Sequence, residues 1–246
     1  MPKFFVKDNQ IKNNIIKIEN EDVNHIKNVL RMKKDDILQI GVLPKGENYK
    51  AKIISLDKNC VECEITEKIE ETTESNVSIT IFQGVPKFEK MELIIQKNTE
   101  IGAKKIVPVM MERTVVKLNS KDMSKKIERW NKIAEIAAKQ SGRDIIPEVS
   151  SIIKVNEIPE NEFDAVFVAY ENEKENTLKN ELLKLKDKKE KYNIAIIIGP
   201  EGGISENEIA IFKEKGYKLI SLGKRILRTE TAGFVMTSNI LYELED

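Results

Sequence analysis

The chain is poor in the residues that build metal and redox centres. Its 246 residues include two cysteines and one histidine, short of the four ligands of a structural zinc site, so no metal is expected. Cys60 and Cys63 form a C-x-x-C pair, but CVECEITE alternates as a strand does, and a three-residue offset in a strand points side chains to opposite faces. Both are therefore read as structural. Long apolar runs are missing as well: none approaches the roughly 20 residues that a membrane span needs, and the opening MPKFFVKDNQ lacks the apolar core of a signal peptide. A soluble cytoplasmic protein without a membrane partner is expected. Excess charge is absent too, with 41 Lys and Arg against 41 Asp and Glu. Any nucleic-acid binding must then come from local basic clusters rather than from a whole-molecule field. No G-x-G occurs, and the one glycine-rich loop lacks the Lys-Ser/Thr of a P-loop, which argues against dinucleotide-binding and Rossmann-type sites.

What is present divides into two patterns. The polar stretch 67–76, EKIEETTESN, is the best linker candidate. Before it come short β-type runs (KFFV, NIIKI, DILQIGV, YKAKIISL, CVECEIT) and one helical stretch, 21–31, which together suggest a small β-barrel. After it the apolar strands VSITIFQ, KIVPV, FDAVFVA, NIAIIIG and KLISLG are each followed by a helical segment. That rhythm implies an α/β unit with a mostly parallel sheet. The first of these helices carries Met91, Ile94, Ile95 and Ile101 on one stripe and stops at Gly102; the second carries Ile127, Trp130, Ile133, Ala134 and Ala137 and stops at Gly142. Ser205 and Glu208 have capping-box spacing, with Ile204 and Ile209 placed as a staple.

Ligands of open α/β sheets gather at the carboxyl ends of strands, so the loops there are the places to look. NIAIIIG runs into Gly199-Pro200-Glu201-Gly202-Gly203, where clustered glycines let backbone amides approach a ligand closely. By itself this loop can bind phosphate, bind a nucleoside or merely turn. The segment 221–233, SLGKRILRTETAG, holds Lys224, Arg225 and Arg228 against one acid, Glu230, and alone reads equally well as a solvated basic loop. Ala169-Tyr170-Glu171 follows FDAVFVA and is uninformative in isolation.

Together GPEGG and LGKRILRTETA, with QGVPKFEKMELIIQKNTEIGAKKIVP (83–108), ERTVVK (112–117) and RWNKIAEIAAKQSGR (129–143), resemble the RsmE family of small-subunit ribosomal RNA (uracil-N3) methyltransferases. The leading region, with HIKNVLRM at 25–32, is similar to that family's PUA-like RNA-binding domain. Lys224 stands where the family commonly has proline. The resemblance implies an N-terminal PUA-like β-barrel over 1–72 and a SPOUT (α/β trefoil knot) methyltransferase domain over 73–246, acting as a homodimer on 16S ribosomal RNA or the small ribosomal subunit. General connection rules would argue against a knot, so that expectation rests on resemblance alone.

The same resemblance implies S-adenosyl-L-methionine held by Ala169, Tyr170, Glu171, Gly199, Pro200, Glu201, Gly202, Gly203, Leu222, Gly223, Ile226, Leu227, Arg228, Thr229, Thr231 and Ala232. Arg228, permanently charged, is the candidate for stabilising charge on a uracil oxygen. Glu230 is a possible base or a partner for an arginine. RNA would meet His25, Arg31, Lys33, Lys87, Lys90, Arg113, Arg143 and Arg225, with Lys27, Lys34 and Lys117 beside them. The apolar last helix, with Phe234, Val235, Ile240, Leu241 and Leu244, is the expected dimer seam. Two other readings stay open: a different SPOUT enzyme acting on transfer RNA or a ribose oxygen, and a noncatalytic RNA-binding module.

Overall fold

The computed structural model describes residues 1–116 and 120–245; Lys117, one of the cations named above, lies outside them. The chain forms two compact units, one of Met1–Glu74 with Ala138–Ile145, the other of Ser75–Ala137 with Ile146 to the C-terminus.

The first unit contains β1 (Lys3–Lys7), β2 (Ile11–Lys12), β3 (Ile15–Glu19), α1 (Glu21–Asn24), β4 (Ile37–Leu43), β5 (Glu47–Leu56) and β6 (Cys60–Ile69). Its sheet runs β1-β4-β5-β6-β3-β2. The β1–β4 pair is parallel and the other ladders are antiparallel. Among the described residues no ladder joins β1 to β2, so backbone pairing does not close the expected barrel. The expected helix over 21–31 is α1 followed by a π-helical turn, His25–Val29, and ends where Arg31 takes a φ of 54°. The expected linker begins later than its polarity suggested, because β6 continues to Ile69 paired with β5. Cys63 is buried in the unit's core, and burial pushes its thiol up to about 12, in keeping with a structural cysteine.

The second unit contains β7 (Val77–Gly84), α2 (Phe88–Ile101), β8 (Lys105–Met110), α3 (Ser120–Ser141), β9 (Glu148–Val149), β10 (Ile153–Lys154), β11 (Ala165–Ala169), α4 (Leu178–Leu185), β12 (Tyr192–Ile198), α5 (Glu206–Glu214), β13 (Lys218–Ile220) and α6 (Thr229–Leu244). The last turn of α3 belongs to the first unit. The sheet order is β10-β8-β7-β12-β11-β13, with β9 also on β8, and every ladder is parallel. Strand β12 is apolar at nearly every position because both of its faces are covered. Ile194, Ile196 and Ile198 join a cluster with residues of α2, α3, α4 and α6, whereas Ala195 and Ile197 join another with Ile209 and Phe212 of α5.

The helix signals hold in detail. Gly102 caps α2 with a φ of 132°, which a side chain would oppose. The Ser205 hydroxyl accepts from the Glu208 amide while the Glu208 carboxylate accepts from the Ser205 amide, and Ile204 and Ile209 are buried together. Helix α6 differs from expectation at its start. It begins at Thr229, two residues before the run TAGFVMTSNILYEL expected to form it, so Thr229 and Glu230 are helical as well. Ile240, Leu241 and Leu244 pack into the core of the second unit and are not available as a seam; Phe234 and Val235 are half-buried.

Candidate donor-binding cleft

Because every strand of the second sheet runs in parallel, the loops after β11, β12 and β13 emerge on one edge. They enclose a cleft of about 470 Å³, within the ~300–1,000 Å³ usual for small-molecule sites. All the proposed donor-binding residues line it except Thr231, which sits in the first turn of α6 outside the lining. Lys90, Ile198, Ile204, Ser221, Lys224 and Arg225 complete the wall.

The Gly-rich loop is held from behind. The Gly203 amide donates to the Pro200 carbonyl at 2.9 Å, closing a tight turn. Pro200 rests on Gly84, the last residue of β7: a Cβ on Gly84 would lie 2.6 Å from Pro200 Cδ and 2.7 Å from its nitrogen. Gly202 was expected to be bare so that the backbone could approach a ligand. What its missing side chain makes room for is Arg113, whose Cβ and carbonyl would lie 2.9 and 3.0 Å from an added Cβ. Arg113 also donates from Nη1 to the Gly202 carbonyl at 3.1 Å. Neighbouring Glu112 donates its amide to Glu208 Oε1 at 2.8 Å, so the capping carboxylate ties the 112–113 loop to α5 as well.

The other two loops are laced together. The Tyr170 amide donates to the Ile220 carbonyl at 3.1 Å, the Ser221 amide to Asn176 at 2.8 Å, and Asn176 Nδ2 to Leu219 at 3.0 Å. Thr229 accepts from Gln83 Nε2 at 2.9 Å and donates to the Gly199 carbonyl at 2.6 Å, joining α6 to the Gly-rich loop. Sequence reasoning missed Gln83, which lies at the end of an apolar strand 146 positions from its partner.

Charges alternate along one wall. Lys90 lies 3.4 Å from Glu201 and 3.2 Å from Glu230, and Arg228 lies 3.9 Å from Glu230 on its other side. Burial alone would raise the Glu201 carboxyl; the amides of Glu201 and Lys87 and the Lys90 ammonium hold it below its usual range. Glu230 thus pairs with the arginine expected and, more closely, with Lys90, and it is not among the residues that line the cleft. Lys90 is correspondingly neutralised, which weakens its candidacy as an RNA contact. Arg143 is removed from that group altogether. Its side chain is 5% exposed and grips Glu74 through Nε and Nη2 within the first unit, so it cannot reach a phosphate. His25, Arg31 and Lys33 in the first unit, and Lys87, Arg113 and Arg225 in the second, are exposed. Arg228 is 81% exposed at the cleft rim, and Glu171 forms no hydrogen bond or ion pair among the described residues.

Comparison with known proteins places this architecture. The RNA methyltransferase domain family matches residues 73–241, and the RNA methyltransferase PUA domain family matches residues 18–66. A ribosomal RNA small subunit methyltransferase E from Bacillus subtilis is 37% identical over 93% of this chain and 90% of its own length. Its counterpart from Buchnera aphidicola is 36% identical over 96% and 90%. The crystal structure of the enzyme of the same name from Neisseria gonorrhoeae, bound to S-adenosyl methionine, superposes with a TM-score of 0.87 at 29% identity, over 100% of this chain and 99% of the other. With a matched family model over most of its length and relatives this similar end to end, the chain belongs to the ribosomal RNA small subunit methyltransferase E family.

Proposed function

We propose that the protein transfers a methyl group from S-adenosyl-L-methionine to N3 of a uridine in small-subunit (16S) ribosomal RNA, and that it works in the cytoplasm. The observation that carries this reading is the cleft itself, built from three loops at the carboxyl edge of a parallel sheet in a chain of this family. Its residues fit the donor chemically. Gly199, Gly202 and Gly203 offer backbone groups, and Leu222, Leu227 and Ala232 offer an apolar surface for an adenine. Glu171, with no hydrogen bond or ion pair among the described residues, is placed for ribose hydroxyls or an ammonium.

The donor supplies an electrophilic methyl group on a sulfonium, so the protein's task is alignment and electrostatics. N3 of uracil must lose its proton before it attacks, and the charge left on the ring spreads to its oxygens. Arg228, fixed at the N-cap of α6 with an exposed guanidinium, is placed to meet that charge. Glu230, clamped between Lys90 and Arg228, orients these cations. The exposed cations of the first unit would grip RNA phosphates, which position RNA without reading sequence.

We propose further that the segment after β13 is threaded in a trefoil knot and that two chains pair. Thr229 tucked beneath Gly199 supports the first idea, and the apolar side chains left at the surface of α2 and α6, Leu93 and Tyr242, support the second. Incubating small-subunit RNA with the protein and labelled donor tests the activity. Label should appear as 3-methyluridine, and label found only on ribose or only in transfer RNA would reject the assignment.

A further inference from the structure

We propose that Gln83 is a positioning residue of the donor cleft, acting through Thr229 to lock the Gly-rich loop in its binding-competent shape before any ligand arrives; this rests on the methyltransferase reading above. Gln83 lies at the carboxyl end of β7, in register with Ile198, one residue before the loop begins. It is fully buried. Its amide nitrogen donates to the Gly84 carbonyl at 3.0 Å and to Thr229 Oγ1 at 2.9 Å. A carbonyl can only accept, so the Gly84 oxygen fixes which end of the amide faces this way. The arrangement is kept although it leaves Gln83 Oε1 buried without a hydrogen-bond partner among the described residues, an expense that the two donated bonds must outweigh.

The direction of the chain follows. A threonine hydroxyl has one proton. Because Thr229 accepts from Gln83, that proton is free to go to the Gly199 carbonyl, 2.6 Å away. The Gly199 oxygen is thereby drawn toward the core. The first turn of α6, the end of β7 and the start of the loop become one hydrogen-bonded unit, seated where Pro200 packs on bare Gly84. Ordering the loop beforehand removes an entropic cost that donor binding would otherwise carry.

Full-length Gln83→Met, Thr229→Val, Thr229→Ser and the Gln83→Met/Thr229→Val double variant test this. Two quantities are read: amide hydrogen exchange of residues 199–204 without ligand, and S-adenosyl-L-methionine affinity by calorimetry. Met and Val conserve volume but break the relay, so each should speed loop exchange and weaken donor binding by about tenfold. The double variant should be no worse than Thr229→Val, because the bonds act in series, and Thr229→Ser, which keeps the hydroxyl, should keep the slow loop exchange of the wild type. Unchanged loop exchange in Gln83→Met, or additive losses in the double variant, would overturn the proposal. Should Gln83→Met fail to fold, the Val and Ser pair decides: equal loop exchange in the two would overturn it. Wild-type protein that binds no donor would instead sink the methyltransferase reading, and exchange alone would then judge the relay.

Discussion

Asp144 shows how much one carboxylate can hold. It lies with Lys3 in a buried pair at 2.6 Å and also accepts from the Thr72 hydroxyl and the Thr73 amide, both at 2.8 Å. Burial by itself would raise its carboxyl; the hydrogen bonds from Lys3, Thr73 and Thr72 and the lysine's charge bring it below the ordinary value. A carboxyl depressed in the folded state contributes stability that is present above its unfolded pKa of roughly 3.9 and is lost as pH falls through the folded value. Asp144→Asn should therefore cost about 3 kcal/mol near neutrality, as expected for a buried pair broken on one side. The gap to wild type should close below about pH 4. Denaturant unfolding at several pH values measures it, and a gap that stays constant with pH would show that the charge of Asp144 is not what stabilises the site. Nothing in the SGRD run at 141–144 announces this pair, since Lys3 is 141 positions away.

At the scale of elements, α5 carries the clearest test. Glu208 is buried, with Oε2 on the Ser205 amide and Oε1 on the Glu112 amide. Glu208→Gln would turn a donor toward one of two donors, leaving a buried amide unmatched at about 1–3 kcal/mol. Ser205→Ala, which loses only the cap, should cost about 1 kcal/mol. Chemical denaturation that ranks Ser205→Ala above Glu208→Gln would contradict the bridging role of this carboxylate. The cap itself was legible because its signal is local: two polar residues three apart, flanked by Ile204 and Ile209. The parallel strands β7, β8, β11, β12 and β13 were legible for a similar reason, each lying in a locally apolar run. What escaped depends on distant partners. The polar end of β6 is a strand only because β5 pairs with it. Thr229 and Glu230, ahead of the expected start of the last helix, are helical where Thr229 reaches Gln83 and Gly199. The cleft loops were placed correctly by strand ends, whereas the reason for bare Gly84 and Gly202 emerged only once Pro200 and Arg113 were seen against them.

For the whole molecule, the pairing of chains is the open expectation with a sharp readout. Ile240 is fully buried within its own subunit, so a charge there would test folding, not association. Tyr242 is 88% exposed on the same helix. Sedimentation equilibrium at micromolar concentration should give twice 28.2 kDa, and Tyr242→Glu should shift the protein toward monomer without lowering its unfolding midpoint. A wild-type mass of 28.2 kDa would reject the dimer, and a dimer indifferent to Tyr242→Glu would reject this face of α6.

The first unit is not continuous along the chain, since it is completed by Ala138–Ile145. On the ribosome this sets an order of events. When residue 74 has been made, Lys3 still lacks Asp144, Asp22 lacks Lys139, and Glu74 lacks Arg143. At about 5–20 residues per second, several seconds of elongation pass before those counter-charges emerge. The amino-terminal unit, although synthesised first, thus reaches its final stability only after the opening strands and helices of the second unit have left the exit tunnel.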